Sequence, residues 1–124
     1  MEITNFHDVN YWIKAAERDY EIVEELFKKK ETNWIYLKLS DFLTKILAVR
    51  SLMNGKNPEE EIDNFSDYIL ECKIDLSDRE KEVLKELDLM KAEESLGKKA
   101  KLLETLYDEA ELISQIAVKL VVKK

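Results

Sequence analysis

The sequence predicts an all-α fold: an antiparallel up-down bundle of four long helices and one short one, in a single domain over residues 1–124. Three observations carry that prediction. Only two glycines and one proline interrupt the 124 residues, so helix breakers are scarce. Apolar residues between them recur at spacings of three and four, the period of a helix face. The composition, 45% hydrophobic with 38% charged residues, suits helices that bury one face and solvate the other.

The first helix is expected over residues 9–30, with Asp8 as its N-cap. Val9, Trp12, Ile13, Ala16, Tyr20, Val23 and Phe27 form one stripe, and Glu17, Arg18, Glu21, Glu24 and Glu25 the opposite face. Lys28, Lys29 and Lys30 suit the negative end of the helix dipole. Thr32 and Asn33 read as turn and cap before a second helix that runs to about residue 54. Its stripe, Ile35, Leu39, Phe42, Ile46, Val49 and Met53, is widened by Leu43, Leu47 and Leu52, which makes it the central helix, and Gly55 is its stop. The short link between the two predicts a helical hairpin.

Asn57-Pro58 marks the start of the third, short helix, which ends near residue 72 with Ile62, Phe65, Tyr68 and Ile69 inward. After a connector at 73–76, Ser77 and Glu80 have capping-box spacing. The fourth helix carries Val83, Leu84, Leu87 and Met90 and ends near residues 95–97, with Gly97 as a stop or a bend. The last covers about residues 98–122, with Leu103, Leu106, Tyr107, Ala110, Ile113, Ala117, Leu120 and Val121 on one side.

The chemistry inventory excludes more than it offers. Acidic residues outnumber basic ones 27 to 20, for a net charge of −7, which opposes binding to duplex DNA. Nothing resembles a signal peptide or an apolar run of about 18 residues, and Cys72 stands alone, so a reducing, cytoplasmic setting without membrane insertion is expected. One cysteine and one histidine, His7, cannot build a zinc site, and no Glu-x-x-His pair exists for a di-iron centre. A Ser-His-Asp triad would have to use His7, placed ahead of the first helix. No phosphate-binding glycine loop is present. No metal, cofactor or catalytic residue is therefore expected.

Asp19, Asp41 and Arg50 are the candidate ligand-binding residues. The two aspartates lie beside the apolar stripes of helices that should pack together, where they can meet a cation, a ligand or a salt-bridge partner. Arg50 lies among Ile46, Leu47, Val49 and Met53, either reaching an anion or covering apolar surface with its stem. Ile22, Leu26, Tyr36 and Leu37 lie off the main stripes and are the candidate homodimer contacts.

Three stretches resemble the HEPN family, the nucleotide-binding domain of higher eukaryotes and prokaryotes. They are the run from Trp12 to Tyr20, WIKAAERDY; the run from Leu43 to Arg50 leading into Gly55-Lys56-Asn57-Pro58; and Leu106-Tyr107 with Ala110 and Ile113. The resemblance implies a dimerising helical bundle of the small stand-alone prokaryotic type. Such members often stand beside a minimal nucleotidyltransferase, as a toxin–antitoxin or related pair. Catalytic members are ribonucleases with an Arg and a His four to six residues apart near the last helix. Residues 88–100 contain neither, and none of Arg18, Arg50 and Arg79 is followed by a histidine. The implied function is a non-catalytic partner of a nucleotidyltransferase-type protein with a nucleotide as candidate ligand. The alternatives are a structural homodimeric interaction module and a ribonuclease toxin with an atypical site.

Overall fold

The computed structural model describes residues 5–31, 34–55, 64–92 and 103–121. They form five helices: α1 (Asn5–Lys29), α2 (Ile35–Met53), α3 (Phe65–Glu71), α4 (Asp78–Ala92) and α5 (Leu103–Val121), with no strand among the described residues.

α1 starts one turn before the stripe that identifies it. Val9 marks where packing begins; the hydrogen-bonded turns begin earlier, so His7 lies inside α1 and Asp8 is not its N-cap. The helix closes where Lys30 adopts a left-handed φ of 58°. Lys30 N–H then donates to Phe27 O (3.1 Å) and Glu31 N–H to Leu26 O (2.9 Å), the paired closure of a Schellman motif.

α2 is buried nearly all round, from Ile35 and Tyr36 to Val49 and Leu52, as a central helix must be. Trp34 occupies its N-cap position and makes no side-chain cap bond; Thr32 and Asn33 lie outside the described residues. Gly55, at φ 74°, donates its N–H to Leu52 O (3.0 Å) and ends the helix as expected. α1 packs along α2 through contacts such as Tyr20 on Phe42, with ring centroids 5.1 Å apart.

The described α3 begins at Phe65; Asn57, Pro58 and Ile62 lie outside the described residues. Asn64 is extended and caps it, its Oδ1 accepting from Asp67 N–H at 2.8 Å. Asp88, on α4, accepts the N–H groups of Phe65 (2.6 Å) and Ser66 (3.0 Å). Local and long-range carboxamide and carboxylate oxygens thus satisfy three of the amides that a helix start leaves unpaired. Lys73, at φ 56°, lies just beyond its C-cap, Cys72.

The capping box forms at α4: Glu80 N–H donates to Ser77 Oγ (3.2 Å) and Ser77 N–H to Glu80 Oε1 (2.8 Å). α4 buries Val83, Leu84 and Leu87, and packs on α3 and α5. Gly97 lies outside the described residues. α5 lays Leu106, Ala110, Ile113, Ile116, Ala117 and Leu120 into the core. Tyr107 departs from the expected stripe. It follows buried Leu106, is turned about 100° from it by the helix period, and is 60% exposed.

Candidate functional site

Asp19 is buried on α1 and is ion-paired to Lys45 of α2. Asp41, one turn before Lys45, is half-buried and pairs with Lys38 at 3.7 Å. Burial pushes the Asp41 carboxyl above its ordinary range and the nearby Asp19 charge adds to this, while Lys38 and Lys45 pull the other way. Two carboxylates and two lysines therefore balance one another across the α1–α2 seam.

Arg50 lies nine residues from Asp41 on α2, about 13 Å along the helix axis. Its guanidinium donates from one nitrogen to Leu120 O (2.9 Å) and from another to Cys72 O (3.1 Å). These carbonyls belong to the end of α5 and the C-cap of α3. The cation thus neutralises converging helix C-termini, while its Nε–H stays buried without a partner. It faces α3 and α5, away from the Asp19–Lys45 pair, so the three candidate residues do not form one site.

Of the four candidate dimer residues, Tyr36 is in the core and Ile22, Leu26 and Leu37 are partly exposed. Tyr36 is 1% exposed and its hydroxyl donates to the Glu109 carboxylate of α5. Burial and the Glu109 carboxylate push its pKa well up. Leu26 packs partly buried against the core, and Ile22 and Leu37 are half-buried. Off-stripe Tyr36 is buried because α5 arrives beside it on α2.

A second polar group was not legible in advance. Lys119 of α5 donates to Glu80 Oε1 (2.7 Å) and to Asp75 O (2.9 Å), tying the α4 capping box to the last helix. Glu80 is 2% exposed. Burial alone would raise its carboxyl, but the Lys119 ammonium and the Ser77 bonds outweigh it and hold it below the ordinary carboxylate range.

Two of the concave regions among the described residues bear on binding. One, of about 580 Å³, lies at the Arg50 end and is lined by Arg50, Cys72, Lys73, Asp75 and Lys119 among others. The other, of about 500 Å³, is a groove between α1 and α5 lined by Tyr20, Glu24, Phe27, Tyr107 and Glu111, with Val23 and Ala110 as its floor. Phe27 and Tyr107 pack at 4.9 Å between centroids, tilted by 46°. Tyr20 OH donates weakly to Ala110 O at 3.5 Å. Burial raises its pKa, the Ser114 hydroxyl lowers it, and the Glu24 and Glu111 carboxylates raise it further. Among the described residues no cluster of three or more metal-ligating side chains occurs, and no helix is long and apolar enough to cross a membrane.

Comparison with family models, curated proteins and solved structures finds no match to this chain.

Proposed function

We propose that the chain is a HEPN-like, antiparallel up-down bundle that acts without catalysis as the accessory subunit of a nucleotidyltransferase-type protein. The three stretches that resemble the family supply the assignment. The hairpin geometry supports the bundle: Asp19 meets Lys45 and Tyr20 meets Phe42, pairs that lie at similar distances on either side of the α1–α2 link. One observation carries the binding role. The conspicuous polar side chains are engaged in holding helices together: Arg50 on two carbonyls, Asp19 on Lys45, Glu80 on Ser77 and Lys119. What is left open to another molecule is surface, above all the aromatic groove between α1 and α5.

A nucleotide would meet positive charge at the Arg50 cavity, where exposed Lys73 stands beside Arg50 and Lys119, whose polar atoms already hold Leu120 O, Cys72 O and Glu80. Glu24 and Glu111 would repel its phosphates from the groove. The test is size-exclusion chromatography with light scattering on the chain mixed with a minimal nucleotidyltransferase-type protein from the same source. The expected result is a complex whose mass is the sum of both. Two separate peaks at micromolar concentration would overturn the reading.

A further inference from the structure

The α1–α5 groove combines three properties that together define an occupant. Its floor is low, because Val23 and Ala110 are small and are 0% and 2% exposed. One wall is aromatic: the Phe27–Tyr107 pair leaves Tyr107 60% exposed. Its edges are acidic, because Glu24 on one side and Glu111 on the other are exposed and form no ion pair with any described residue. Both carboxylates line the same groove as Tyr20. Lys28 also lines the groove and pairs with neither.

We propose that this groove seats a cationic amphipathic helix of a partner protein, with apolar side chains on Phe27 and Tyr107 and arginines between Glu24 and Glu111. The lining residues span positions 20–28 and 107–114, about 12 Å and 10 Å of helix, the length of two turns. A helix laid in such a groove buries one face and leaves its flanks to the rim. Guanidinium groups suit the site because they pair with carboxylates and also stack on aromatic faces. A second copy of this chain fits poorly, since its net charge of −7 brings like charge to an acidic rim. The inference rests on the partner-subunit reading only in taking the partner to be a protein.

The test uses the full chain and two synthetic peptides of about 18 residues, long enough to be helical. One carries leucines on a single face flanked by arginines; its twin has glutamates in place of the arginines. Binding is read by fluorescence anisotropy at low and high salt. The chain is expected to bind the arginine peptide and not the twin. Glu24→Lys with Glu111→Lys should weaken binding at least about tenfold at low salt, and less at high salt where charge is screened. Tyr107→Ala should weaken it about tenfold. All three positions are exposed, and circular dichroism checks that the variants fold.

Equal binding of both peptides, no binding of the arginine peptide, or unchanged affinity in the double variant would overturn the proposal. So would a dimer of the free chain that Tyr107→Ala dissolves, which would assign the groove to a second copy. If wild type and double variant capture the nucleotidyltransferase-type protein equally, the groove assignment falls and the partner reading stands. If neither captures it, while the arginine peptide binds as expected, the partner reading falls and the groove assignment stands.

Discussion

Arg50 acts where the chain ends of two helices meet. Its guanidinium takes the carbonyls of Cys72 and Leu120, groups that a helix terminus leaves without partners. Arg50→Ala should lower stability by about 1.5–3 kcal/mol, as expected for charge-assisted hydrogen bonds at a part-buried position. Urea unfolding measures this; a loss below about 0.5 kcal/mol would show a solvated arginine instead. Glu80 gives a pH signature. Its folded pKa is depressed, so its contribution is complete above about pH 5 and is lost as the pH falls through the folded value. Glu80→Gln should therefore flatten the acid side of the stability profile, measured as urea midpoint against pH. Asp41 has the opposite sign. Its raised pKa means that its charge opposes folding increasingly as the pH rises through the folded value. Asp41→Asn should thus be neutral or slightly stabilising at pH 7, while Lys45→Ala, which strands buried Asp19, should cost about 2 kcal/mol.

The elements differ in how openly their ends are written. Ser77 and Glu80 announce α4 because both capping partners lie within four residues, and the bonds form as read. Gly55 announces the end of α2 because a left-handed residue is most easily a glycine. Lys30 and Lys73 adopt the same conformation without that signal, so the ends of α1 and α3 are hidden. Left-handed backbone costs a side-chain-bearing residue about 1–2 kcal/mol, and glycine returns part of that as chain entropy. Lys30→Gly and Lys73→Gly should each therefore stabilise the protein by about 0.5–1 kcal/mol, seen as a higher thermal midpoint. The start of α3 was hidden for another reason. Its cap combines Asn64 nearby with Asp88, more than twenty residues on, and no local pattern marks a carboxylate that arrives through folding. Asp88→Ala should cost about 1–2 kcal/mol.

For the whole molecule, the apolar period was enough to place the helices and to make α2 central, because a helix apolar on several faces must be surrounded. It was not enough to say which side chains stay open. Tyr36 lies off the main stripe and is buried, whereas Tyr107 lies beside the stripe and is 60% exposed; both outcomes depend on which neighbouring helix arrives beside them. The polar candidates show the same limit. Asp19, Asp41 and Arg50 stood out as charges near apolar stripes, and the fold engages Asp19 and Arg50 with α2, α3 and α5 groups far away in sequence. The proposed binding role therefore rests on surfaces such as the α1–α5 groove. Hydrogen exchange of the chain, alone and with a minimal nucleotidyltransferase-type protein, tests this most directly. The account predicts added protection in residues 20–28 and 107–114 and little change around Arg50; protection confined to the Arg50 end, or no change anywhere, would contradict it.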